Sequence, residues 1–239
     1  IPLFIHEQNS VPGLVNRILN RLSKLTFEAF PDSFNKSSKI HTVGNPVRSG
    51  IIKNPPTEAQ KKEQFNILIL GGSQGSKQLN EIVLKTFRDK IIPINWYIVH
   101  QVGDLDKSSL VDVYSKQSFS YEVVSYIEDI GKAYHESDLV IGRSGAMTVS
   151  EICCSSKPSI LFPLPWAADN HQYFNAKFLE DKKASILLES SLDSADRLFV
   201  LLNDLEKDHN ERHSMSLNAF DAFPVSSGNR IVEIINESF

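Results

Sequence analysis

The chain has 239 residues, of which 41% are hydrophobic and 23% charged, a composition typical of globular domains. Its 25 basic and 29 acidic residues give a net charge of −4, which argues against a broadly basic surface, so we expect no nucleic acid as a partner. No apolar run approaches the roughly 18 residues of a spanning helix, so any membrane contact should be peripheral. The two cysteines, Cys153 and Cys154, are neighbours, which excludes a disulfide framework and a four-cysteine zinc site.

The first segment, IPLFIHEQNS, predicts an apolar strand at residues 2–5 that leads into the polar loop 6–9. It lacks the features of a signal peptide, and because residue 1 is isoleucine we expect a fragment or a processed product. Residues 14–25 predict a helix with one apolar face, formed by Leu14, Ile18, Leu22 and Leu25. We favour a helix that packs on its own core. The alternative is an amphipathic helix that contacts anionic lipid.

A proline-rich polar stretch, GNPVRSGIIKNPPTEAQKKEQ, follows at residues 44–64. Each proline also restricts the conformation of the residue before it. We therefore predict a linker that separates residues 1–48 from 65–239.

Beyond this linker, apolar strands and helices alternate. Strands are predicted at residues 65–70, 96–99, 121–124, 139–141, 159–162 and 185–188. Helices are predicted at residues 77–88, 105–114, 130–135, 146–155, 170–181 and 194–206. Continuous apolar strands between helices are typical of a doubly wound α/β fold, with a parallel sheet covered on both faces. Ligands of such sheets bind beyond the carboxyl ends of the strands.

The first loop at this predicted edge is GGSQGS, residues 71–76, between a strand and a helix. Its glycines would let backbone N–H groups approach an anion at the helix N-terminus. The loop matches neither GxGxxG nor a Walker A motif. The alternative is a glycine-bearing turn that binds nothing.

The second loop, GRSGAMTVSE at residues 142–151, also opens a helix after a strand. Its amides and the Thr148 hydroxyl are suited to a diphosphate. Glu151 follows one turn later, where a carboxylate can accept both hydroxyls of a ribose. Alternatively, Thr148 and Glu151 form a capping box that only starts the helix.

The third loop, PLPWAADNHQ at residues 163–172, places Asp169 as the predicted N-cap of a helix. Asp169, Gln172 and Asn175 then lie near one face, a set of donors and acceptors that suits sugar hydroxyls. The alternative is a capped, solvated first turn. His209 and His213 share the spacing of HExxH, but residue 210 is asparagine and the surroundings are charged, which favours a solvated helix face over a metal site.

The order of these motifs resembles one family. HEQN, GNPVR, GGSQGS, SYIEDI, RSGAMTVSE and AADNHQ follow each other along the chain. This order is similar to that of the MurG family of bacterial peptidoglycan glycosyltransferases, which have the GT-B fold of two Rossmann-like domains. These enzymes transfer N-acetylglucosamine from UDP-GlcNAc to the lipid-linked muramyl-pentapeptide acceptor, lipid I, and make lipid II. The resemblance extends to about residue 189 and more loosely to the end.

The resemblance implies a division of the chain. Residues 1–48 would be the C-terminal remnant of the acceptor-binding domain, 49–64 the interdomain linker, 65–222 the complete UDP-sugar domain and 223–239 a helix returning to the first domain. The family's glycine-rich loop GGTGGH, with a histidine implicated in acceptor chemistry, has no counterpart here. Catalytic residues are therefore unknown, and we expect the general base in a segment upstream of residue 1. The alternatives are another GT-B transferase or the donor half of a split glycosyltransferase that needs a partner chain.

The resemblance also implies the donor site. Donor contacts are expected at Asn9, Arg48, Ser73, Ile127, Ala146, Met147, Thr148, Val149, Ser150, Glu151 and Gln172, with Gly72, Gln74, Gly145 and His171 as further candidates. In this scheme Asn9 and Gln172 reach the sugar, the backbone of Ile127 meets the uracil and Glu151 binds the ribose. The reaction would be an inverting displacement without metal or cofactor, UDP-GlcNAc being a substrate. The enzyme would lie on the cytoplasmic face of the bacterial membrane, against an anionic lipid surface.

Overall fold

A computed structural model describes residues 1–72, 76–105, 107–164, 170–189, 191–192, 194–224 and 226–239. The strands are β1 (Phe4–Glu7), β2 (Leu25–Glu28), β3 (Ile40–Thr42), β4 (Phe65–Leu70), β5 (Trp96–Gln101), β6 (Ser120–Val124), β7 (Leu139–Arg143), β8 (Ser159–Phe162) and β9 (Ser185–Leu187). The helices are α1 (Leu14–Leu19), α2 (Lys77–Arg88), α3 (Ser108–Tyr114), α4 (Ile130–Glu136), α5 (Ala146–Cys154), α6 (His171–Asp181), α7 (Ser194–Lys207), α8 (His209–Ala222) and α9 (Ser227–Glu237).

The larger sheet has six parallel strands in the order β6-β5-β4-β7-β8-β9. Successive side chains of a strand point to opposite faces, and both faces here are covered. Ile67 and Ile69 of β4 belong to the cluster under α2, α3 and α7, whereas Leu68 and Leu70 belong to the cluster under α5 and α6. The predicted α/β fold with a doubly wound parallel sheet is confirmed.

The order of the strands places a switch point between β4 and β7. The chain moves outward from β4 through β5 to β6, then returns and continues on the other side with β7. Leu70 at the end of β4 is level with Gln101 on one side and with Gly142 on the other. Loops that leave β4 and β7 therefore diverge at this point and open a crevice, which is where such sheets bind ligands.

A smaller sheet of three parallel strands, in the order β1-β2-β3, precedes the larger one. The C-terminal helix α9 covers it: Ile234 is buried against Phe27 and Val43. Phe239 closes the same layer with an edge-to-face contact to Phe4, at 6.1 Å between ring centroids.

The prediction of one helix over residues 14–25 is wrong. Helix α1 ends at Leu19, and Leu25 instead begins β2, where it packs under α9. No residue of α1 is buried, and Leu14, Val15 and Ile18 are each more than half exposed. The favoured interpretation, a helix packed on its own core, is therefore also wrong. Within the described ranges, no helix combines the length and the apolar character needed to cross a membrane.

Candidate functional site

The loop after β4 lies on one side of the crevice. Gly71 is closely packed, because a Cβ there would lie 2.8 Å from the carbonyl oxygen of Gln101. Gly72 has φ +80°, a conformation that side chains other than glycine's rarely adopt. Ser76 then caps α2 by accepting from the N–H of Leu79 at 3.4 Å. The predicted contacts Ser73 and Gln74 lie outside the described residues.

Helix α5 starts on the other side of the crevice, directly after β7. Its N-cap is Gly145, and the first intrahelical hydrogen bond runs from the N–H of Val149 to the Gly145 carbonyl at 3.0 Å. The N–H groups of Ala146, Met147 and Thr148 precede that bond and point out of the helix end. Such an end attracts negative charge through both its amides and its dipole. The capping-box alternative is wrong, since Thr148 lies inside the helix and no side chain caps it.

Three of the predicted contacts on α5 have buried side chains: Ala146, Val149 and Ser150. Val149 and Ser150 are both fully buried. The Ser150 hydroxyl donates to the Ala146 carbonyl at 2.8 Å and accepts from Asn45 Nδ2 at 2.9 Å. These side chains shape the helix end, whereas Met147 and Thr148 are the more exposed ones on its first turn.

Glu151 lies one turn into α5 and is held by a neighbour. The Tyr134 hydroxyl on α4 donates to Glu151 Oε2 at 3.0 Å. Burial raises the pKa of Glu151, while the Tyr134 hydrogen bond and the charge of Arg48 act to lower it. Burial, followed by the charge of Glu151, raises the pKa of Tyr134 well above its ordinary value, so this hydroxyl stays a donor. The carboxylate is thus oriented by a fixed, uncharged partner.

Gln172 lies on the first turn of α6 and is buried. Its Oε1 accepts from the N–H of Leu164 at 3.0 Å and from Arg143 Nε at 3.4 Å, and its carbonyl accepts from the Ser144 hydroxyl at 2.7 Å. The amide is therefore fixed between the ends of β7 and β8. His171 precedes it and is half-buried.

The start of α6 differs from the prediction. Asn170, with φ +54°, is the N-cap residue rather than Asp169, and its side chain makes no cap hydrogen bond. Asp169 itself lies outside the described residues.

Asn175 ties the first segment of the chain to this edge. Its Oδ1 accepts from the Ser10 N–H at 3.0 Å and from the Ser10 hydroxyl at 2.8 Å. Its Nδ2 donates to the Ser144 carbonyl at 3.1 Å and to Asn9 Oδ1 at 3.3 Å. Asn9 therefore contacts α6 at Asn175, which lies one turn after Gln172 on the same face of that helix. Sequence reasoning placed Asn175 on that face but missed its contact with residues 9 and 10.

Asn45 forms a second tie, which sequence reasoning missed. Its Nδ2 donates to the Gln8 carbonyl at 3.1 Å as well as to Ser150. Asn45 lies in the GNPVR motif, and that motif was the available signal. Tyr134 was missed as well, because a tyrosine on a mostly apolar helix face cannot be told from a core aromatic.

Two further predicted contacts lie at the margin of the crevice. Arg48 is exposed, directly before a 3-10 turn at Ser49–Ile51. Ile127 follows β6, is half-buried and packs against the cluster under α5. Most of the predicted residues that the structure describes lie at the α5 start, the α6 start and the loop of residues 8–10, whereas Gly72, Arg48 and Ile127 lie on other segments.

Comparison with known proteins identifies the family of this chain. Residues 66–231 match the model of the glycosyltransferase family 28 C-terminal domain. Two curated relatives carry the same name, UDP-N-acetylglucosamine–N-acetylmuramyl-(pentapeptide) pyrophosphoryl-undecaprenol N-acetylglucosamine transferase. The one from Vesicomyosocius okutanii is 40% identical over 233 residues, covering 98% of this chain and 64% of its own. The one from Coxiella burnetii is 38% identical over 222 residues, covering 91% and 62%.

A solved structure supports the same assignment. The crystal structure of Acinetobacter baumannii MurG superimposes with a TM-score of 0.86 at 33% identity, covering 99% of this chain and 67% of that one. Of the two curated relatives named above, this chain spans less than two thirds of the length. Since the family model covers most of the chain, the protein belongs to glycosyltransferase family 28, as a MurG-like chain that contains the family's C-terminal domain.

Proposed function

We propose that this chain is the donor-binding part of an enzyme that moves N-acetylglucosamine from UDP-GlcNAc to lipid I and so forms lipid II in peptidoglycan synthesis. In this proposal residues 65–222 are the donor domain, 1–48 belong to the acceptor domain, 49–64 link the two and 223–239 return to the first. The observation that carries the proposal is the position of Glu151, a half-buried carboxylate held one turn behind an open helix N-terminus at the switch point.

The nucleotide half of the donor fits the start of α5. The diphosphate would lie against the N–H groups of Ala146, Met147 and Thr148, with the Thr148 hydroxyl as a further donor. Glu151 follows Thr148 by three residues, which is about 4.5 Å along the helix axis. This spacing suits the ribose that follows the diphosphate. The uracil would then reach the backbone of Ile127. Gly72 and Gly145, both at the mouth of the crevice, leave room for the close approach.

The sugar half of the donor fits the opposite side of the helix start. Gln172 and His171 open α6, and Asn9 is hydrogen-bonded to the same helix. Amides can both donate to and accept from sugar hydroxyls. A site shared between residue 9 and residue 172 would close only when the two parts of the chain are docked. Such closure limits hydrolysis of the donor by water.

The proposed chemistry is an inverting displacement. The acceptor hydroxyl oxygen attacks the anomeric carbon and the bond from that carbon to the diphosphate oxygen breaks. The hydroxyl proton passes to a base, and negative charge develops on the departing UDP. The α5 N–H groups and dipole are already directed at that charge, so they stabilise it in the transition state without reorganising.

We also propose a peripheral location on the cytoplasmic face of the bacterial membrane. Exposed Leu14, Val15 and Ile18 lie beside Arg17 and Arg21, which is the residue pattern of a segment lying on anionic lipid. Lipid I, the proposed acceptor, is itself a membrane lipid.

Calorimetric titration with UDP-GlcNAc and UDP tests the donor site. We expect saturable binding of both ligands, with affinity at least tenfold weaker in Glu151→Ala. Glu211→Ala, an exposed glutamate on α8, is the matched control and should bind as the wild type does. Equal binding by wild type and Glu151→Ala would refute the ribose role.

Transfer to a lipid I analogue tests the acceptor, with this chain and with a version extended upstream. Transfer by the extended chain supports the proposal. Transfer only to other acceptors would favour another GT-B enzyme. Transfer that requires a separate partner chain would favour a split transferase.

A further inference from the structure

A second cavity, of about 350 Å³, opens at the amino edge of the larger sheet, opposite the candidate donor site. It lies between the linker, the residues that precede β7 and β8, and helix α8. Its volume is within the range of small-molecule sites, roughly 300–1,000 Å³. None of its lining residues belongs to the proposed donor site, so the donor function does not explain it.

The lining of this cavity is strongly cationic. Lys53 and Lys62 come from the linker, Lys157 precedes β8, and Arg212 comes from α8. Asp138 is the only carboxylate among the described lining residues, and it pairs with Lys62 at 2.5 Å. Four cationic side chains therefore share one lining carboxylate, which leaves the described lining with an excess of positive charge.

Lys157 is half-buried, and its ammonium group is held by backbone carbonyls. Its Nζ donates to the carbonyls of His135 at 3.1 Å and Ser137 at 2.6 Å, which use two of its three donors. Burial, followed by the nearby charge of Lys53, lowers the pKa of Lys157 to about 8, against an opposing effect of Asp138. An anion placed beside this ammonium would favour its charged form.

Helix α8 contributes a second polar group to the cavity. His213 lines it, and its buried Nδ1 has no hydrogen-bond partner among the described residues. Its neighbour Arg212 is buried, donating to the carbonyl of Glu206 at 2.8 Å and to His209 Nδ1 at 2.6 Å. His209 and His213 are each half-buried, so the helix face that was predicted to be solvated is only partly exposed. A buried polar atom without a partner marks a place where a further polar group belongs.

The cavity is also held in shape. The N–H of Lys53 donates to the Cys154 carbonyl at 2.8 Å, and the Ser156 hydroxyl donates to the Lys53 carbonyl at 2.7 Å. Ser216 on α8 donates to the Ser156 carbonyl at 2.6 Å. Linker, turn and helix are thus fixed to one another before any ligand binds, which reduces the entropic cost of binding.

We propose that this cavity binds a small, dissolved, phosphate-bearing anion. Lysine side chains that line one cavity from separate elements, together with a histidine from a third, suit a multiply charged oxyanion. The concave shape favours a dissolved anion over a flat lipid surface. A phosphate here would lie between Lys53 and Lys157, touching the linker and the sheet at once.

Calorimetric titration with pyrophosphate, at constant ionic strength set with sodium chloride, tests the site. We expect saturable binding that Lys53→Glu weakens at least tenfold. Lys85→Glu, an exposed residue of α2 outside the cavity, makes the same change in net charge and should alter affinity less than twofold. Thr148→Ala alters the proposed donor site and not this cavity. It should therefore leave the pyrophosphate binding that depends on Lys53 unchanged.

Three results would overturn the proposal. The first is the absence of saturable pyrophosphate binding. The second is a pyrophosphate affinity that Lys53→Glu does not change. The third is Lys53-dependent capture by vesicles that contain phosphatidic acid when pyrophosphate does not bind, because the ligand would then be a lipid headgroup. Loss of binding in Thr148→Ala alone would assign the pyrophosphate to the donor site. Because the donor titration uses Glu151 and this one uses Lys53, either proposal can fail without the other.

Discussion

The Tyr134 hydroxyl and Glu151 Oε2 are joined by a 3.0 Å hydrogen bond that links α4 to α5 beside the switch point. Tyr134 is fully buried, whereas Glu151 is only partly so. The tyrosine therefore positions the carboxylate from the core, and Glu151 remains partly accessible to solvent.

Tyr134→Phe removes this donor while keeping the ring in the core. We expect UDP-GlcNAc affinity at pH 7.5 to fall at least about tenfold, since a hydrogen bond to a charged group contributes about 1.5–3 kcal/mol. Calorimetry measures the change. Tyr97→Phe is the control, because Tyr97 also donates to a glutamate, Glu122, but near the amino edge of the sheet. Similar losses in both variants would contradict a specific role for Tyr134.

The pH dependence of donor binding follows from the pKa of Glu151, which burial raises. Ribose hydroxyls donate to the ionised carboxylate, so affinity is full above that raised pKa. It falls as the pH decreases through it, by up to about tenfold per pH unit. UDP-GlcNAc is the ligand to use, because its diphosphate is a diester, whereas a terminal phosphate of UDP titrates near pH 6. Glu151→Gln should bind weakly at every pH. A Gln variant with the wild-type profile would assign the titration to another group.

Asn175→Ala breaks the tie between residues 9–10 and α6. Four hydrogen bonds are lost around a fully buried side chain, so we expect the free energy of unfolding to fall by about 2–3 kcal/mol in urea denaturation. Because Asn9 is proposed to reach the sugar, UDP-GlcNAc affinity should fall more than UDP affinity. Asn203→Ala removes one hydrogen bond to the Phe199 carbonyl and should cost less than about 1 kcal/mol. Equal stability of the two variants would contradict the tie.

Gly71→Ala tests the packing of the first loop. The added Cβ would lie 2.8 Å from the Gln101 carbonyl and 3.3 Å from the Ser76 N–H, so the loop must shift. We expect a loss of about 1–3 kcal/mol in thermal or urea unfolding, together with weaker UDP binding. Gly13→Ala is the control, because nothing lies within 4 Å of that site and its φ of −66° suits any residue. A Gly71→Ala protein as stable as Gly13→Ala would show that the loop adapts freely.

The larger sheet could be predicted from the sequence because local and long-range signals agree there. FNILIL at Phe65–Leu70 is buried on both faces and ends at paired glycines, and the predicted bounds of β4, α2 and β8 match those observed. The smaller sheet could not be predicted in the same way. Strands β2 and β3 have only four and three residues, and the apolar residues of β2 are stabilised by α9, about 200 residues later in the chain.

Some residues of the candidate site could be recognised from the sequence, and others could not. Loops with distinctive residues, such as that around Thr148 and Glu151, could be recognised because their chemistry is local. Tyr134, Asn45 and the contact of Asn175 with Ser10 depend on which distant residues the fold brings together. A hydrogen bond between residues 165 positions apart leaves no periodic pattern in either segment.

The position of α9 has a consequence for the order of folding. The apolar side of β2, including Phe27, stays open to water until Ile234 reaches it, and Phe4 gains its aromatic partner only with the last residue, Phe239. The strands of the larger sheet and the helices that cover it lie between residues 65 and 222, so this sheet can form while the small sheet is still uncovered. A chain cut after residue 224 would therefore present the larger sheet beside an exposed apolar face, a natural target for a chaperone.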